Sequence, residues 1–182
     1  MKFINTELDG LTIIEPDIFR DARGYFFESY NERALAEHGI CTHFVQDNQS
    51  MSTYGVIRGL HCQVGKHAQA KLVRVLEGRV LDIAVDIRHG SPGFGKYAAV
   101  ELSAENRRQL YIPRGFLHGF AVLSERAVFY YKADNFYCKA AEFGIRYDDP
   151  AIGIDWQLPP EAVITSEKDR IANTLQDVPH YR

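Results

Sequence analysis

The chain has 182 residues, 46% of them hydrophobic and 25% charged, with a formal net charge of -3. That size suits one domain, spanning residues 1–182, with a sizeable core, and the charge balance lacks the basic footprint of a nucleic-acid binder. The three cysteines, Cys41, Cys62 and Cys138, form no Cys-x-x-Cys pair, which argues against a disulfide framework and a zinc knuckle.

The first ten residues, Met1 to Gly10, carry no apolar signal core, and no apolar run is long enough to cross a membrane. A cytoplasmic protein without a membrane partner is therefore expected. Asn31 is placed to cap a helix over Glu32 to His38, with Gly39 at its left-handed C′ position. From Phe44 to Lys132 the pattern is of short strands punctuated by glycine and proline. Leu81 to Arg88 alternates, with Ile83, Val85 and Ile87 on one side and Asp82, Asp86 and Arg88 on the other. Many short strands at regular spacing predict a mainly β sandwich or barrel, with a jelly roll as prime candidate. Asp148 to Asp169, with Asp149-Pro150 and Pro159-Pro160 as turns, reads as loop plus short helix folded back on the strands, with Ser166 as cap.

Several runs place chemistry inside this framework. In Arg58-Gly59-Leu60-His61-Cys62-Gln63, His61 and Gln63 share a strand face, and Arg58 takes the other unless Gly59 makes a bulge. Lys71 follows on the next strand. Burying a cation, an imidazole and an ammonium together is costly in a plain core, and a site offsets that cost. The bland alternative is that these groups face solvent. His118 lies between Phe116 and Phe120 on one face, where a histidine tends to stay neutral. Taken alone, it reads best as a core histidine bonded to a backbone carbonyl. Of the adjacent Tyr130 and Tyr131, one can point inward. Arg23 with Glu28 reads as a surface pair, and Gln46-Asp47-Asn48 as a polar turn or a recognition run. His61, His67, Glu77 and His118 could supply metal ligands, but Gln63 stands where a His-x-His pair would need its second histidine, so no metal is expected. Nucleophile-elbow, Walker and dinucleotide fingerprints do not occur.

The ordered set of these motifs resembles the dTDP-4-dehydrorhamnose 3,5-epimerase family. The matching pieces are Phe19-Arg20-Asp21-Ala22-Arg23-Gly24 with Glu28, Gln46-Asp47-Asn48, Arg58-Gly59-Leu60-His61, Gln69 to Val73, Ile112-Pro113 to Phe120, Tyr131-Lys132, and Ser166-Glu167-Lys168-Asp169. The resemblance implies a cupin-type jelly-roll (double-stranded β-helix) barrel with a few short helices, a homodimer, a dTDP-sugar substrate, and no cofactor or metal. It implies His61 as general base oriented by Asp169, and Tyr131 as acid on the opposite face of the sugar. Lys71 and His118 would lie near the developing oxyanion and the sugar oxygens. Arg23, Phe26, Glu28, Gln46, Asp47, Asn48, Arg58, Glu142 and Lys168 would hold the nucleotide and diphosphate, with Tyr137 stacked on the base. Cys62 departs from the pattern, standing where an aromatic residue usually follows the histidine; by strand parity it faces away from His61.

The implied chemistry suits these residue types. A 4-keto group acidifies the protons on C3 and C5, so inversion needs a base, an acid on the other face, and positive charge at the enolate oxygen. A histidine, a tyrosine and a lysine meet those needs. Arginine suits a diphosphate. Rival readings are an epimerase of C5 or C3 alone, a ketoisomerase moving the carbonyl between C3 and C4, and a metal-dependent or sugar-nucleotide-binding cupin without epimerase activity.

Overall fold

The structure, a computed structural model, describes residues 1–179. In chain order the strands are β1 (Lys2–Asn5), β2 (Thr12–Glu15), β3 (Phe19–Asp21), β4 (Gly24–Phe26), β5 (Gln46–Thr53), β6 (Ile57–Gln63), β7 (Lys71–Glu77), β8 (Arg79–Asp86), β9 (Tyr97–Ser103), β10 (Gln109–Ile112), β11 (Phe116–Val122), β12 (Arg126–Ala133) and β13 (Glu142–Gly144). Two short helices join them, α1 (Glu32–Glu37) and α2 (Glu167–Arg170). The fold is mainly β, and its strand ladders are antiparallel. One sheet runs β1-β2-β10-β7-β12-β5, a second β13-β6-β11-β8-β9, and β3 pairs with β4 as a separate hairpin.

Alternation along the strands sorts the apolar residues into layers. Val73 and Val75 of β7, Phe129 of β12, Ala84 of β8 and Phe120 of β11 share one buried cluster, so the two sheets pack through these faces. The other face of the second sheet buries Leu60, Ile83, Val85 and Leu117 against Ile145, Ile152 and Trp156 of the C-terminal segment. The outer face of the first sheet receives α1, where Leu35 packs with Ile14 and Leu72. The Asn31 side chain caps α1 by accepting from Ala34 N, and Gly39 follows at φ +82°, as the sequence predicts.

The alternation over Leu81–Asp86 holds, but both faces are buried. Ile83 and Val85 face the C-terminal cover, while Asp82 points between the sheets and is fully buried. Asp86 is fully buried as well, satisfied by Arg88 and Ser91. A polar residue in this strand is thus the mark of an internal partner rather than of solvent.

Candidate active site

A cavity of about 770 Å³ opens between the sheets and is closed on one side by the segment leading into α2. Its wall is built from β6 and β11 of one sheet, from β5, β7 and β12 of the other, and from Ile164 to Asp169. His61, Lys71, His118, Tyr131 and Asp169 all line it, as do Asn48, Arg58 and Lys168.

His61 and His118 face each other across the β6–β11 ladder. One step on, the register shifts at Gly59. Gly59 adopts φ +125°, and a Cβ there would meet the Gly119 Cα at 2.5 Å, so the close approach of the two strands needs glycine. The bulge answers the question left by strand parity: Arg58 and His61 line the same cavity although three residues apart. Gly144, opposite His61 on β13, leaves room for the imidazole; a Cβ there would stand 3.1 Å from the ring.

His61 Nε2 bonds Asp169 Oδ1 at 2.6 Å. Asp169 is delivered by α2, whose N-cap Ser166 accepts from its backbone N–H. Burial opposes ionisation of Asp169, but the bond to His61 and the charge of that ring outweigh it and hold the carboxyl below its usual range. With Nε2 engaged, Nδ1 is the ring nitrogen left without a protein partner among the described residues.

His118 corrects one expectation. Its Nε2 partner is the Asp82 carboxylate at 2.9 Å, not a backbone carbonyl. Burial pushes the imidazole down, which favours the neutral ring, and pushes the Asp82 carboxyl up against the opposing pull of His118 and Lys71. Burial also pulls the Lys71 ammonium down, against the nearby Cys62, Asp82 and Glu142. Lys71 makes no ion pair among the described residues and sits 5.5 Å over the Tyr131 ring. Burial raises the Tyr131 hydroxyl, with Glu142 and Tyr137 adding to it, so the phenol stays protonated. Tyr130 points to the other side of β12, where its hydroxyl donates to Asp47 at 2.7 Å.

The remaining predicted residues divide. Gln46, Tyr137 and Glu142 are not part of the cavity's lining but are linked to it through Lys168: Tyr137 N donates to Gln46 Oε1 at 3.1 Å, its hydroxyl donates to Glu142 Oε2 at 3.0 Å, and Lys168 pairs with Glu142. Asp47 faces away from the cavity, bonded to Tyr130 and Lys132. Arg23, Phe26 and Glu28 lie on or beside the β3–β4 hairpin, exposed and outside the cavity; Arg23 pairs with its neighbour Asp21 at 2.5 Å. Cys62 faces the C-terminal cover, as parity predicts, and burial pushes its thiol up to about 12. Of the possible metal ligands, His61 and His118 are each committed to an aspartate, and no group of three or more His, Cys, Asp or Glu among the described residues is arranged to hold an ion.

Two residues that hold side chains of the cavity are marked by no motif. Asp82 is one; its only signal was an acid among apolar residues. Ser52 is the other: buried, it accepts from Arg58 Nε at 2.9 Å and leaves the terminal guanidinium nitrogens unpaired among the described residues. A serine two positions beyond Ser50 carries no such signal by itself.

The chain also resembles known proteins in sequence and in fold. A family model described as dTDP-4-dehydrorhamnose 3,5-epimerase matches residues 5–177. A dTDP-4-dehydrorhamnose 3,5-epimerase of Salmonella typhimurium is 53% identical over 179 residues, covering 96% of each chain. The crystal structure of dTDP-4-dehydrorhamnose 3,5-epimerase from Elizabethkingia anophelis superposes with a TM-score of 0.94 at 57% identity, covering 97% of both chains. That of a dTDP-6-deoxy-D-glucose-3,5-epimerase from Legionella pneumophila, in complex with dTDP-4-keto-L-rhamnose, gives 0.94 at 50% identity, covering 100% of this chain and 98% of that one.

Proposed function

The chain belongs to the dTDP-4-dehydrorhamnose 3,5-epimerase family, and from that premise we propose that it converts dTDP-4-dehydro-6-deoxy-D-glucose to dTDP-4-dehydro-L-rhamnose, in dTDP-L-rhamnose biosynthesis. The reaction removes and returns a proton at C3 and at C5, each time through the enolate of the 4-keto group. The observation that carries the reading is the pairing of His61 with Asp169 on one wall of the cavity while Tyr131 stands on the sheet opposite.

In this reading His61 is the base and Nδ1 takes the proton, since Asp169 holds Nε2 at 2.6 Å. Asp169 fixes the tautomer and stabilises the imidazolium that forms. The carbonyl oxygen gathers charge as the C–H bond breaks, and the unpaired ammonium of Lys71 is its partner. His118, neutral and donating through Nε2 to Asp82, has Nδ1 free to accept a sugar hydroxyl. Tyr131 then returns a proton from the other face; His61 gives its own proton to solvent and the Tyr131 phenolate takes one from solvent, so both groups are regenerated. The Tyr131 phenol is protonated in the resting site, as that role requires.

Arg58 and Lys168 supply positive charge for the diphosphate, with Asn48 and Gln46 beside them. Tyr137, half exposed and bonded to Glu142, suits stacking on the thymine. We read the two sheets as a cupin-type jelly-roll barrel forming one domain. The working unit in this reading is a homodimer. Its support is the β3–β4 hairpin, which exposes Phe19, Tyr25 and Phe26 at 56–69% and carries Arg23 outside its own cavity. A second copy would bring Arg23, Phe26 and Glu28 to the substrate. No helix among the described residues is long and apolar enough to cross a membrane, and a cytoplasmic location fits a soluble sugar-nucleotide substrate.

Incubation with dTDP-4-dehydro-6-deoxy-D-glucose, with the product trapped by a 4-keto reductase and its ring configuration read by NMR, tests the assignment. The L-rhamno product is expected; a product inverted at one centre, or a 3-keto sugar, would overturn it.

A further inference from the structure

Gln63 ends β6 two residues beyond His61 and is 6% exposed. Its Oε1 accepts the backbone N–H of Cys138 at 2.8 Å. The preceding N–H, that of Tyr137, is accepted by Gln46 Oε1. Gln46 belongs to β5 in one sheet and Gln63 to β6 in the other. Two side-chain carbonyls from opposite sheets thus take two consecutive N–H groups of the segment that presents Tyr137.

Elsewhere the segment is held through Asn135, whose carbonyl accepts from Gln69 Nε2 at 2.6 Å and whose Nδ2 donates to Lys66 O at 3.0 Å, and through the Tyr137 hydroxyl on Glu142; the Tyr137 and Cys138 N–H groups have the two glutamines as their acceptors. The segment's ends are tied down by Asp134 N to Ala70 O at 3.2 Å and by Val64 N to Ala141 O at 2.9 Å. Between them Phe136 is 66% and Tyr137 54% exposed, so apolar burial does not set the ring's position. The glutamine acceptors fix the backbone from which the ring projects, and Glu142 takes its hydroxyl. We propose that Gln63 is a positioning residue: it holds Tyr137 at the nucleotide end of the cavity and so sets affinity for the nucleoside diphosphate. The inference rests on the reading above in which Tyr137 stacks on the base. It also gives β6 two tasks on one face, with His61 at the reacting carbon and Gln63 behind the base platform.

Calorimetric titration of dTDP into the wild-type protein, Gln63→Met, Tyr137→Ala and the double variant tests this. Gln63→Met is expected to weaken dTDP roughly tenfold, while turnover at saturating substrate stays within about twofold of wild type. The double variant is expected to bind no more weakly than Tyr137→Ala, to within about twofold, because both changes act through one ring. Gln63→Glu keeps an acceptor oxygen at the same reach and is expected to recover most of the loss. Wild-type affinity in Gln63→Met, losses that multiply in the double variant, or a Gln63→Glu protein as weak as Gln63→Met would each overturn the proposal. A wild-type protein that binds dTDP but leaves the C3 and C5 protons in place would instead contradict the epimerase reading and leave the Gln63 result to stand by itself.

Discussion

The imidazole of His61 stands 2.6 Å from the carboxylate of Asp169, a residue 108 positions further along the chain. The two meet because β6 and α2 border the same cavity. Asp169→Asn keeps the size of the side chain but removes the charge that favours the imidazolium and allows the wrong tautomer. Turnover is expected to fall by roughly 10²- to 10⁴-fold with substrate affinity little changed, as measured by steady-state kinetics.

The same pair carries a pH signature. The Asp169 carboxyl is held below its ordinary value in the folded protein. A carboxyl with a lowered folded pKa contributes stability that is present above its unfolded pKa and is lost as pH falls through the folded one. The melting temperatures of the wild-type protein and Asp169→Asn are therefore expected to converge as acid is added below about pH 4. A gap that stays constant from neutral pH to about pH 3 would contradict the assignment.

Asp82 titrates in the opposite sense. Burial raises its carboxyl despite His118 and Lys71. A raised carboxyl contributes stability below its unfolded pKa, and that contribution is lost as pH rises through the folded one. Asp82→Asn, which still offers an oxygen to His118, is expected to melt at least as high as wild type at pH about 8 and to turn over about tenfold or more slowly. A melting temperature that drops at that pH would show that the ionised carboxylate stabilises the fold.

The reach of the sequence differs from element to element. The α1 cap and the inward faces of β8 are legible because capping and alternation are local rules, satisfied by Asn31 and Gly39 in one case and Ile83 and Val85 in the other. That Asp47 turns its side chain away from Gln46 and Asn48 also follows from parity, yet a motif transferred as a run carries all three together. The meeting of His61 with Asp169 lies beyond any local pattern; it is a property of the closed tertiary structure, and only the family resemblance points to it. Arg58 is intermediate: its face depends on whether Gly59 bulges, and the bulge depends on Gly119 of another strand. Asp82 escapes notice because an acid in a strand reads as a solvent face until the second layer that covers it is known.

Tyr131→Phe separates the two halves of the reaction. If His61 removes the proton and Tyr131 returns one from the other face, the variant is expected to form epimerised product roughly 10²-fold more slowly while its initial proton abstraction changes far less. Solvent-exchange NMR reads the first step and product NMR the second. Loss of solvent exchange together with product would mean that the roles of base and acid are assigned wrongly.

Arg23 tests the dimer. It is exposed and outside its own cavity, so a chain acting alone would lose nothing in Arg23→Ala. The dimer reading predicts a sedimentation mass twice 20.7 kDa. It also predicts a KM about tenfold or more higher in Arg23→Ala at unchanged kcat. A monomer of wild-type KM in the variant would contradict it.

The most direct test of the central claim is to incubate the wild-type protein and His61→Asn with dTDP-4-dehydro-6-deoxy-D-glucose in D₂O and follow C3 and C5 by NMR. Deuterium at both positions with the wild-type protein, and at neither with folded His61→Asn, is the predicted result. Deuterium at one position alone, or undiminished exchange in His61→Asn, would contradict the account of His61 as the base that serves both carbons.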